Sequence, residues 1–407
     1  MDMTGLALRA AAARPHVLPA TLPGGTAARL AAERVLRLRD WPLAATPAQA
    51  DVLLVAGPAR PDLDAAVDRL WQDMPAPRAR VQALSADDVE AALATGQARL
   101  GSPAGRRTQA EAPDAAESDD EGDHSRSHGG HEGHGGHGGG EMEMPGGLPM
   151  AEQGEDRDGL TLDQLHVALG PLLADWPSGL AIRVTLQGDV VQEAEVEEPL
   201  RPGSAVAEAF WVQPWLRAAA GEPVSVGEAV RRRAAAHLDS LARLLSVAGW
   251  PAEAVVARRL RDDLLDGAPG AAVVLRLERF ARRVGRSRTL AWMTRGIGQV
   301  SAERAREAGV SGPAARAGGD VSDRYRQWLA VIRRDVGRLE EPSPLRPAVE
   351  ESPRGWWRDG GPPSAALIRL LPGLLTGAEL AAARLIVASL DPDLDELAAA
   401  RREVTAS

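Results

Sequence analysis

No cysteine occurs among the 407 residues. That excludes disulfides and removes the thiolates that ordinarily hold iron-sulfur and nickel-iron centres. A chain without thiols is compatible with either redox compartment. Lysine and asparagine are also missing, so every basic side chain is arginine, a usage that reads as the imprint of a GC-rich genome. Aromatics are scarce: one Tyr and two Phe leave ten Trp to supply most of the aromatic surface. No apolar run reaches the roughly 18 residues a membrane-spanning helix needs. The opening MDMTGLALRAAAARPHVLP lacks a basic leader followed by a long apolar core, so a cytoplasmic chain is expected. The net charge of -10, with acid and base interspersed, predicts neither a nucleic-acid face nor a polybasic membrane anchor.

What is present suffices for a sizeable core, and length with 44% hydrophobic content predicts two domains. They are divided at residues 105–158, a tract of acids, glycines and histidines with almost no bulky apolar side chains, expected to be a disordered linker. Upstream (1–104), Asp51 to Ala56 reads as a buried strand ending at Gly57. Leu63, Ala66, Val67, Leu70 and Met74 then fall at helical spacing, and Arg80 to Leu84 offers a second strand. The unit reads as α/β. Downstream (159–407), Leu180 to Val196 alternates around Gly188 and Asp189, a β-hairpin pattern. Helices are predicted over Val226 to Val247, Ala271 to Val284, Ser301 to Glu307, Ser322 to Leu339 and Ala378 to Leu390, giving α+β. Ser301 and Ser322 are the expected caps, neither within a full capping box.

Ala45 to Arg78, with Pro47, Gln49, Ala50, Asp51, Gly57, Met74, Pro75, Pro77 and Arg78 in order, resembles the small cluster-bearing subunit of respiratory complex I and membrane-bound hydrogenases. The second half is similar to its neighbour, the subunit related to the nickel-iron hydrogenase large subunit. Leu169 to Glu197 looks like the family's opening hairpin, Thr294 to Gly319 with Ser322 to Tyr325 its central signature, and Pro363 to Glu396 its carboxyl terminus. The resemblance implies a fusion of both core subunits, with a flavodoxin-like fold first and a hydrogenase-large-subunit-like hairpin and helical bundle second.

The departures bear on function. Where the small subunit has cluster-binding cysteines, this chain has Pro23, Gly24 and Gly25. Where the larger relative has Gly-Pro-x-His-Pro, with a histidine for the quinone pocket, it has Gly170, Pro171, Leu172, Leu173 and Ala174, and its single tyrosine, Tyr325, does not match the quinone-contacting one. Asp391 and Pro392 match the family's Asp-Pro, without the hydrogenase cysteines. The expectation is therefore a degenerate, cluster-free scaffold subunit of an ion-translocating complex-I-like assembly, peripheral on the inner face of the membrane and docked on antiporter-like membrane subunits. Alternatives are a quinone-pocket subunit served by partner clusters, and a metal-handling protein.

The last rests on His124, His128, His131, His134 and His137, with Glu132, Met142 and Met144 nearby. Imidazoles three residues apart on a flexible chain can wrap nickel, zinc or copper, and a solvated linker is the competing reading. No other cofactor is expected. His237 reads as a satisfied core residue, and His16 and His166 as isolated. Asp391, Asp393, Asp395 and Glu396 read as a charged exit from the last helix rather than a metal cluster, lacking the glycine and distal glutamate of a calcium loop. Gly296-Ile297-Gly298 follows no predicted strand, which argues against a dinucleotide fingerprint. Trp356 and Trp357 are the expected docking contact.

Overall fold

The structure is a computed structural model and describes residues 13–102, 152–155, 161–197, 209–357 and 361–406. The first of these stretches folds as β1 (Val17–Thr21), α1 (Thr26–Leu38), β2 (Val52–Ala56), α2 (Asp64–Gln72), β3 (Ala79–Ala83) and α3 (Val89–Leu100). The strands pair in parallel in the order β1-β2-β3, with Val52 between Val17 and Ala79. All five residues of β2 are buried because both sheet faces are covered. One face packs Val52 and Leu54 against Ala28, Leu36 and Leu93 of α1 and α3; the other packs Leu53 and Val55 against Leu63 and Val67. The turn after β1 admits only glycine at position 25: a Cβ there would lie 2.1 Å from the Ala56 carbonyl oxygen.

A four-stranded antiparallel sheet follows, in the order β4 (Glu152–Glu155), β5 (Thr161–Leu169), β6 (Ile182–Gln187), β7 (Val190–Val196). The β6–β7 hairpin turns at Gly188 and Asp189, as the alternation predicted, with Gly188 at φ +62°. β4 falls inside the stretch expected to be linker; its sequence, Glu-Gln-Gly-Glu, carries no apolar signal, and backbone pairing with β5 defines it.

The rest is helical: α4 (Gln213–Ala219), α5 (Val226–Val247), α6 (Pro251–Leu265), α7 (Gly270–Gly285), α8 (Arg288–Thr294), α9 (Ala302–Glu307), α10 (Gly312–Ala317), α11 (Val321–Val336), α12 (Pro363–Leu375), α13 (Leu380–Leu390) and α14 (Leu394–Ala406). Leu238, Leu245, Leu260, Phe280 and Ile332 centre one core, around α5, α6, α7 and α11. α12 and α13 cover the antiparallel sheet, packing Leu371 and Val387 against Ile182 and Val184. Ser301 caps α9, accepting from the Arg304 amide. For α11 the prediction of Ser322 is corrected: Asp320 is the cap and forms a full capping box with Asp323. No helix among the described residues is long and apolar enough to cross a membrane.

Candidate functional site

The chemistry-bearing side chains concentrate where the parallel sheet unit meets the helices. α1 presents Arg29, Glu33 and Arg37 at i, i+4 and i+8, one face of the helix, toward α5 and α6. Arg29 grips Asp239 of α5 with both terminal nitrogens (3.1 and 2.8 Å) and donates to Glu33 at 2.7 Å. Arg261 of α6, fully buried, donates to Asp239 at 2.7 Å, to Glu33 at 2.8 Å and to Asp262. Arg37 also reaches Asp262. Burial pushes the Glu33 carboxyl up, but Arg29, Arg261 and Arg258 outweigh it and hold it at about 2. Burial likewise opposes ionisation of Asp239, and Arg29, Arg243 and Arg261 overcome it, leaving the carboxyl far below its ordinary range.

A second cluster reverses that balance. Asp391 ends α13 in the left-handed conformation (φ 48°) and is held by Arg354 at 2.7 Å, Arg243 and the Ser240 hydroxyl. Beyond it Asp393, Asp395 and Glu396 turn inward. Asp395 accepts from the Gly24 amide at 2.8 Å, joining the start of α14 to the β1–α1 turn across 371 positions of sequence. Glu396, 0% exposed, accepts from the Ser364 amide and hydroxyl at 3.2 and 2.6 Å. Burial, reinforced by Asp393, raises Glu396 to about 8, and the same two causes raise Asp395 well above the carboxylate range. The expected charged exit is thus corrected: Asp391, Asp395 and Glu396 are buried, because the first turn of α14 sits against Ser364 of α12 and Gly24 of the β1–α1 turn.

Between the clusters lies a cavity of about 510 Å³, lined by Arg29, Arg354, Asp393, Trp41 and the loop carrying Leu172 and Leu173. Gly170 starts that loop at φ +96°, where a Cβ would meet the Leu180 carbonyl oxygen at 2.0 Å. The Trp176 indole donates to the same carbonyl at 2.7 Å. Arg354 Nη1 and Asp393 Oδ2 face each other at 3.9 Å, both buried and neither with a hydrogen-bond partner among the described residues. Neither histidine nor tyrosine is among the lining residues. Tyr325 is buried in the core of α5, α7 and α11 instead.

His237 is 2% exposed in α5, its ring stacked on Trp328 at 6.3 Å between centroids. Burial, with Arg354 and Arg233 nearby, drives its pKa well below the ordinary value and keeps it neutral. It is a core residue as expected, although Nε2 has no partner among the described residues. His16 is not isolated: its ring lies 3.4 Å from Asp51. His166 meets the Thr185 hydroxyl at 3.2 Å. Trp356 and Trp357 are half-buried. A helix precedes Gly296, in line with the reading against a dinucleotide loop. His124, His128, His131, His134 and His137 lie outside the described residues. Among the described residues no three His, Cys, Asp or Glu side chains are placed to hold a metal ion, and the sequence has no cysteine.

The sequence reading missed Arg29, Glu33, Asp239, Arg261, Arg243 and Arg354. A signal existed in the i, i+4 pairs Arg29–Glu33 and Asp239–Arg243, although the same spacing ordinarily marks a solvated helix face.

No family model and no curated protein matches the chain. Among solved structures it is similar to a chain of the membrane-bound sulfane sulfur reductase, an archaeal respiratory membrane complex, at 16% identity and a TM-score of 0.39, over 58% of this chain and 98% of that one.

Proposed function

We propose that this chain is a cluster-free core subunit of a complex-I-like membrane assembly, a scaffold that docks on antiporter-like membrane subunits at the inner face of the cell membrane. One observation carries the reading: the separate stretches that resemble the two core subunits close on one another in space. Leu172 of the hairpin loop packs with Leu53, Val55 and Leu63 of the parallel sheet unit. Arg324 of the central signature donates to the Gly298 carbonyl and to Ser389 of the carboxyl-terminal stretch. Asp395 of that stretch then reaches Gly24. Such convergence is what a fusion of two adjoining subunits needs, and the absence of cysteine removes the usual cluster ligands.

The test is affinity purification of the tagged chain from detergent-solubilised membranes. Antiporter-like membrane subunits should co-purify, and the separated chain should show no iron-sulfur absorbance. Recovery of the chain alone, or a cluster bound to it, refutes the reading. The cavity favours a second reading, in which partner clusters reduce a quinone held against Arg354 and Asp393. Displacement of a quinone analogue from the purified assembly by Asp393→Leu tests that version.

A further inference from the structure

On the helical unit, one stretch is dominated by arginine. Between Gly270 and Gly296 stand seven arginines and one acid, Glu278, in a chain whose net charge is -10. Three of these eight are committed: Arg276 to Asp263, Arg283 to Glu253 and Glu278 to Arg333. The others, Arg279, Arg282, Arg286, Arg288 and Arg295, are exposed and have neither an ion pair nor a side-chain hydrogen bond among the described residues.

Their placement is regular. α7 buries Val273, Leu277, Phe280 and Val284. On the opposite side Leu275, Arg279, Arg282 and Arg286 follow at i, i+4, i+7 and i+11, a single outward stripe. α8 begins two residues after Arg286 and adds Arg288 and Trp292. Trp292 at 80% and Leu275 at 77% are the two most exposed large apolar side chains described, with Met293 and Val274 beside them. Aromatic and aliphatic side chains set among unpaired arginines suit a boundary whose outer layer is anionic and whose inner layer is apolar. A nucleic-acid backbone would engage the arginines yet leave Leu275 and Met293 against water.

We propose that the α7–α8 surface seats the protein directly on an anionic lipid bilayer, with its free arginines on headgroup phosphates and Trp292, Leu275 and Met293 in the headgroup-acyl boundary. This is independent of the assembly reading, since lipid rather than a protein partner is the ligand. It runs against the sequence-level expectation of no polybasic anchor, which averaged charge over the whole chain.

The test is flotation of the full chain with vesicles of phosphatidylcholine alone and of an equimolar mixture with phosphatidylglycerol, duplex DNA serving as a competing polyanion. Binding should require phosphatidylglycerol and weaken with salt. Loss of one arginine should cost about fivefold in partitioning, so Arg279→Glu, Arg282→Glu and Arg286→Glu combined should cost about a hundredfold or more. Trp292→Ala should weaken binding while leaving the salt dependence in place. All four positions are exposed, and an unchanged circular dichroism spectrum controls for folding. No binding to the mixed vesicles, equal binding to both vesicle types, an unaffected triple variant, or DNA bound in preference to vesicles would each overturn the proposal.

Discussion

Glu396 offers a direct measure of how the buried acid cluster is balanced. Its carboxyl is fully buried, accepts from Ser364, and is raised from 4.5 to about 8 by burial first and Asp393 second. A raised carboxyl is favoured in its protonated form by the folded state. Its contribution to stability is therefore complete below pH 4.5 and is lost as pH rises through about 8. At about 1.4 kcal/mol per pH unit, that interval amounts to about 5 kcal/mol. Asp393 and Asp395 are raised in the same surroundings, so neutralising one acid relieves the others and narrows the measurable gap to about 2–5 kcal/mol. Glu396→Gln keeps an oxygen for Ser364 and has no proton to lose. Urea unfolding followed by tryptophan fluorescence at pH 4.5 and pH 8 should show the variant gaining on the parent by that amount. Parallel stabilities across the window would mean that the carboxyl is hydrated or ionised in the folded protein, and the argument would fail.

Asp239→Ala removes the carboxylate that Arg29 and Arg261 share, leaving Arg29 with Glu33 and Arg261 with Glu33 and Asp262, and should cost about 3 kcal/mol in urea unfolding, the low end for breaking a buried ion pair. A loss under about 1 kcal/mol would place that interface in water. Gly25→Ala drives a methyl group into the Ala56 carbonyl and should cost about 3 kcal/mol or abolish soluble expression, whereas Gly188→Ala, with open space around it, should cost about 1 kcal/mol from its positive φ alone. Comparable losses at both sites would remove the packing argument. Deleting residues 122–140 should abolish nickel and zinc binding measured by calorimetry on the full chain; retained stoichiometric binding would place the ligands elsewhere.

Where the fold was legible, the signal was local. α5 runs over the predicted residues Val226–Val247 because Ser225 caps its first turn and Gly249, at φ +75°, follows its end. The hairpin was legible because a two-residue Gly-Asp turn separates alternating strands. β1 was not: VLPAT is five residues long and holds a proline, and only pairing with Val52–Ala56 makes it a strand. α6 was hidden because Glu253, Arg261 and Asp262 sit at its buried positions, where a periodicity search expects apolar side chains. α12 was masked by Pro372 within the helix.

The site was less legible than the fold because its meaning lies in distant pairings. Asp391, Asp393, Asp395 and Glu396 look like a solvated run until Arg354, Arg243 and Gly24 are seen to close over them. Arginine without lysine reads as genomic bias, yet the fold uses what lysine lacks. Arg233 grips Asp335 through Nε and Nη2 at 2.7 and 2.8 Å while Nη1 donates to the Glu351 carbonyl, three directed bonds from one planar head. Arg261 does the same between Glu33, Asp239 and Asp262. At Arg279, Arg282, Arg286 and Arg288 the identical side chain meets no acid among the described residues and stays exposed. Residue type alone therefore separates neither role. What separates them is whether an acid from another part of the chain is brought within reach, and in a sequence with as many acids as this one, only the fold decides that.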